Sequence, residues 1–117
     1  MNHLPIFLSI FLFCACKTHV VKENPAAWKK IRLDFKNLDA DGLSGKQDGK
    51  VAVNYEFCIP DDPKKWKEVH RIDPSATRQI GSRGRIGCTE HQWLVIGSTH
   101  QNNYQRILFE LASLPYV

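Results

Sequence analysis

The sequence predicts a small α+β domain: a mainly antiparallel sheet of about three strands with two helices on one face, in the order β-β-α-β-α. Three observations carry this. Two stretches alternate apolar and polar residues with a period of two, the mark of a half-buried strand. One stretch near the C-terminus repeats apolar residues at helical spacing. An Asp-Pro pair at 62–63 opens a second helix.

The elements follow in chain order. Ile31, Leu33 and Phe35 are apolar, while Lys30, Arg32, Asp34 and Lys36 are charged. This reads as a strand, opened by Trp28. Residues 38–50, LDADGLSGKQDGK, hold three glycines and three aspartates and read as a loop of turns. Val51, Val53, Tyr55, Phe57 and Ile59 then share one face of a strand over 50–59, which Pro60 ends. Asp62 is the expected N-cap and Pro63 the first residue of a helix running to about Arg71. Residues 74–91 read as an irregular basic loop with Gly81, Gly84, Gly87, Arg78, Arg83 and Arg85. Trp93 to Ile96 is a short apolar strand ended by Gly97. Tyr104, Ile107, Leu108 and Leu111 mark the last helix. Ser98 with Gln101 fits a capping box, Asn102 is an alternative cap, and Pro115 is the stop.

Composition bounds the rest. The 117 residues suffice for one domain and not for two. Hydrophobic residues make up 43% and charged residues 24%, a globular balance rather than a disordered one. The net charge of +4 mildly favours anionic surroundings. Aromatic residues do not interleave with the basic ones as a stacking platform would need, so no nucleic-acid partner is expected.

The first residues read as an address. Leu4 to Phe13, LPIFLSIFLF, spans about 15 Å as a helix. That is half of a ~30 Å hydrocarbon core, and it matches the apolar core of a secretory signal. Cys14, Ala15 and Cys16 follow, and every Lys, Arg, Asp and Glu lies after Cys16.

With Phe13, Cys14 and Ala15 before Cys16, this stretch resembles the signal peptide of a bacterial lipoprotein over about the first 17 residues. The resemblance implies cleavage before Cys16 and lipidation of that cysteine. It divides the chain into a signal peptide over 1–15, a lipidated cysteine and polar tether over 16–27, and a globular domain over 28–117. It implies an exported protein held at the cell membrane or outer membrane, its domain in the periplasm or at the cell surface. Lys17, rather than Asp, after the anchor leans towards the outer membrane. The rival readings are an ordinary secretory signal cut after Cys16, giving a secreted soluble protein, and a buried core helix.

Cys58 and Cys88 remain as an even pair in an oxidising compartment, and a disulfide between them is expected. The alternatives are a catalytic thiol or a metal site, with His70, His91 and His100 as partners, and two unpaired thiols. No C-x-x-C or H-x-x-x-H spacing supports a metal.

Each remaining candidate stands beside a plainer reading. Asp39, Asp41, Asp48 and Ser44 offer oxygens for calcium, but Leu43 and Ser44 break the EF-hand register and Asp-Gly turns explain the same residues. In GSRGRIG, 81–87, Arg83 and Arg85 on a flexible backbone suit an anion. The alternative is a solvated loop pinned by Cys88. Lys64, Lys65 and Lys67 face anionic lipid or simply water. His100 is a candidate general base, or a structural histidine.

No catalytic constellation, metal site or cofactor is expected. The leading expectation is an exported, lipid-anchored module that binds an anionic envelope ligand or a protein partner. The rivals are a small secreted hydrolase or transferase using His100 with Arg83 or Arg85, and a periplasmic enzyme inhibitor.

Overall fold

A computed structural model describes residues 24–117. The expected signal peptide over 1–15, the lipidation site Cys16 and the tether up to residue 23 lie outside the described residues.

Helix α1 runs Pro25–Lys30. Pro25 sits in its first turn, where an imino nitrogen forfeits no intrahelical bond. Ala27 is buried, so the packed structure begins before residue 28. Trp28 packs its ring 5.3 Å from Phe109 and edge-on to Phe35 at 5.9 Å.

The strand expected over 30–36 does not form. Residues 31–34 lie outside any strand, and Phe35–Asn37 closes into a 3-10 turn capped by the Asp34 side chain, which accepts from Lys36 N. The alternation still tracks burial: Ile31, Leu33 and Phe35 are half-buried, while Arg32, Asp34 and Lys36 are exposed. Period-two patterning reports which side chains meet the core, and this segment meets it without a ladder of hydrogen bonds.

Strands β1 (Leu43–Ser44) and β2 (Val51–Ala52) pair antiparallel around the acidic loop. Strand β3, Asn54–Pro60, carries the predicted alternation, with Tyr55, Phe57 and Ile59 buried. Helix α2, Pro63–Ile72, starts as expected: the Asp62 side chain accepts from Lys64 N. Strand β4, Thr77–Gln79, lies inside the stretch read as irregular loop. Strand β5, Gln92–Ser98, extends the expected run at both ends. Helix α3 spans Tyr104–Ser113. Its cap is Asn103 in the left-handed conformation, with no side-chain cap bond, rather than Ser98 or Asn102. Gln101 is instead drawn into a buried polar network, which removes it from the expected box.

The main sheet has the order β3-β5-β4, antiparallel throughout. One face carries Tyr55, Phe57, Ile59 and Val95, and packs with Val69 of α2 and Leu108 and Leu111 of α3 into a single core. The α+β class and the antiparallel sheet with α2 and α3 packed together follow the sequence. Gly97 lies opposite Tyr55 in the register. A Cβ there would overlap the Tyr55 ring, so the ring occupies the space a side chain would need.

The opposite face carries Glu56, Cys58 and Leu94, and is covered by the loop between β4 and β5. Cys58 and Cys88 form a disulfide, Cα atoms 5.6 Å apart, and Cys88 is buried. Gly84 is held at φ +65°, and a Cβ there would stand 2.7 Å from the Leu94 side chain and 3.0 Å from Glu56 Oε2, a conformation and a closeness that favour glycine.

Candidate functional site

A groove of about 1000 Å³ is lined in part by the edge strand β3. Lys30 at the end of α1 with Arg32 and Leu33 forms one wall, Asn54, Tyr55 and Glu56 of β3 a second, and Arg85 and Ile86 of the covering loop a third, with Ile96 of β5 completing the lining. Three cationic residues therefore line it, with Lys30 Nζ donating to Leu114 O at 3.2 Å. Among the described residues, Glu56 is the only carboxylate in the lining, and it is already engaged. Its Oε2 accepts hydrogen bonds from Arg85 N at 3.0 Å and Ile86 N at 3.3 Å. Two successive amides aimed at one oxygen are the arrangement expected to receive an external anion. Here the chain supplies that anion itself. The loop is thereby fixed, and the Arg85 side chain is left exposed at the groove.

A narrower apolar slot of about 90 Å³ adjoins this groove, lined by Ile31, Leu33, Phe57, Leu108, Leu111 and Ala112 among others. A ligand in the groove would meet cationic groups with apolar surface alongside.

The sequence-predicted candidates separate. Arg85 lines the groove; Arg83 is exposed and does not. Lys30 and Arg32, read in the sequence as the solvent face of a strand, are groove residues. In the acidic loop, Asp39 is committed to the turn. It accepts from Asp41 N at 2.9 Å, Leu43 N at 3.0 Å and Lys50 Nζ at 2.7 Å. The Lys50 hydrogen bond, with the Leu43 amide, holds its carboxyl below the usual carboxylate range. Among the described residues, no three His, Cys, Asp or Glu side chains are grouped to hold a metal.

His100 places Nδ1 3.2 Å from the Asp41 carbonyl and does not line the groove. The His70 ring lies tilted against Trp66, centroids 5.5 Å apart, and His91 lies 3.6 Å from Glu90. Lys65 sits over the Tyr116 ring at 5.2 Å, while Lys64 and Lys67 are exposed. Both domain cysteines are in the disulfide, so neither is a free nucleophile.

Sequence reasoning missed a buried polar network. Asp73 is fully buried, and its carboxylate accepts from Tyr55 OH at 2.5 Å, Ser75 N at 3.0 Å, Ser75 Oγ at 2.6 Å and Gln101 Nε2 at 3.0 Å. Ser75 Oγ in turn accepts from Ser98 N at 2.9 Å. Burial, reinforced by Asp73, pushes the Tyr55 phenol well above its ordinary value. Every donor is matched, so the network ties β3, α2, β5 and the start of α3 together.

No family model matches the chain, and neither curated proteins nor solved structures give a match. Among the described residues, no helix is long and apolar enough to cross a membrane.

Proposed function

We propose that the chain is an exported envelope protein, lipid-anchored at Cys16, whose domain is a non-enzymatic module that binds an anionic ligand in the Lys30–Arg32–Arg85 groove. The convergence of three cations on a groove whose single carboxylate is engaged carries this reading. With three cationic residues against one carboxylate, the groove keeps an excess of positive charge, which raises the local concentration of anions and steers them inward. The apolar leader before Cys16 supports export. So does the Cys58–Cys88 disulfide, which belongs with oxidising compartments.

Two experiments test it. Cys16→Ala should move the protein from the membrane to the soluble fraction; continued sedimentation with membranes rejects the anchor. Citrate, a small trianion, should shift the amide resonances of Arg85 and Ile86 saturably, and Arg32→Glu should abolish the shift. Identical shifts in the variant reject the groove.

A further inference from the structure

The outer edge of β3 has a determinable hydrogen-bonding phase. Thr99 N donates to Val53 O at 2.9 Å beyond one end of the strand, and Asp61 N donates to His91 O at 3.1 Å beyond the other. Both pairs belong to the register that sets Tyr55 against Gly97 and Phe57 against Val95. In an antiparallel ladder every second residue directs both main-chain groups to its partner. Tyr55, Phe57 and Ile59 therefore turn theirs towards β5. Asn54, Glu56 and Cys58 turn theirs outward, away from the sheet.

Among the described residues, no hydrogen bond outside the β3–β5 ladder reaches the main-chain N–H or C=O of Asn54, Glu56 or Cys58. Pro60 shares their phase, and its missing N–H falls on the outward side, where edge prolines are tolerated. Asn54 and Glu56 lie in the wall of the cationic groove. The edge residues Asn54 and Glu56 and the three cationic residues thus line the same groove, which also reaches Ile96 of β5. Lys30 and Arg32 flank that space without forming a strand.

We infer that the groove binds an acidic peptide segment in extended conformation, added as a strand to the outer edge of β3. This rests on the anionic-ligand reading above and names the class of ligand. Main-chain bonds to Asn54 and Glu56 supply register, and Lys30, Arg32 and Arg85 select acidic side chains. The mode is strand addition, in which the backbone gives affinity and alternate side chains give specificity. A free phosphate or a lipid headgroup would use the cations and leave the strand edge unused.

The test uses the exported, oxidised chain carrying Cys16→Ala. The probe is an acetylated, amidated hexapeptide alternating glutamate and valine. Its controls are a lysine–valine counterpart and two forms methylated on alternate main-chain nitrogens. Citrate and phosphatidylglycerol vesicles complete the set. The glutamate peptide should bind saturably and slow hydrogen exchange at the amides of Asn54, Glu56 and Cys58 by about tenfold or more. The lysine counterpart, and at least one methylated form, should bind roughly tenfold or more weakly. Arg32→Glu should weaken the glutamate peptide by roughly tenfold, chiefly through lost charge complementarity.

Equal binding of both methylated forms, or peptide binding without protection at those amides, overturns strand addition. Binding of citrate or vesicles with no peptide binding overturns the peptide while leaving the anionic groove. Silence from every probe overturns both.

Discussion

Gly97 and Tyr55 face each other across the β3–β5 ladder with the phenol ring lying where a side chain on Gly97 would stand. The ring's position matters beyond packing, because the same hydroxyl donates to the buried Asp73 carboxylate. Gly97→Ala should therefore displace the ring and cost about 1–3 kcal/mol, the usual range for an overpacked core. Chemical denaturation of wild type and variant measures it. A stability change below about 0.5 kcal/mol, the range of neutral surface changes, would show that the ring can move freely.

The Tyr55 phenol, raised by burial and by Asp73, gives a defined alkaline response. The folded state holds this proton to higher pH than the unfolded chain does. Its contribution to stability is complete below the unfolded phenol value of about 10 and is lost as pH rises through the folded value. Stability should thus decline above about pH 10, and Tyr55→Phe should flatten that decline while lowering stability at neutral pH. Denaturation midpoints followed from pH 8 upward decide it; parallel curves for the two proteins would contradict the assignment.

Cys58→Ser should lower the melting temperature under oxidising conditions and lose its effect when both proteins are reduced. The bridge spans 30 residues, which gives a contribution of about 3–4 kcal/mol on the chain-entropy account. Equal melting of variant and wild type without reductant would show that the bond is not formed.

Glu56→Gln should loosen the covering loop. The amide oxygen still accepts, but the charge that draws in Arg85 N and Ile86 N is gone. Charge-assisted bonds of this kind contribute about 1.5–3 kcal/mol in full burial, less at this half-exposed position. Faster hydrogen exchange at Arg85 and Ile86, with the disulfide intact, is the expected reading. Unchanged exchange would mean that the disulfide alone holds the loop.

Much of this architecture is legible because its signals are local. The alternation through Tyr55, Phe57 and Ile59, the Asp62–Pro63 helix start and the stripe from Tyr104 to Leu111 each need only neighbours in sequence. Strand β4 escapes because Thr77, Arg78 and Gln79 carry no apolar alternation. Arg78 takes the core-side position by laying its guanidinium 4.2 Å from the Trp93 ring and 5.8 Å from Trp66, where an aliphatic residue would be expected. The Asp73 network is invisible for another reason. Tyr55 and Gln101 are 46 residues apart and meet only through the fold.

The groove is half legible. Arg85 stands out in a glycine-rich loop, but Lys30 and Arg32 look like the solvent side of a strand, and Glu56 like an ordinary off-face residue. Only the tertiary arrangement brings the three cations together and assigns the carboxylate to the loop amides.

The two outer strands differ in length, seven residues in β3 against three in β4. Fibre growth by edge-to-edge pairing needs two sticky margins per molecule, so that each copy joins one neighbour and recruits the next. Among the described residues, this sheet has a single long one. Copies that met along it would close as a twofold pair and leave nothing to propagate, which keeps crowded molecules discrete.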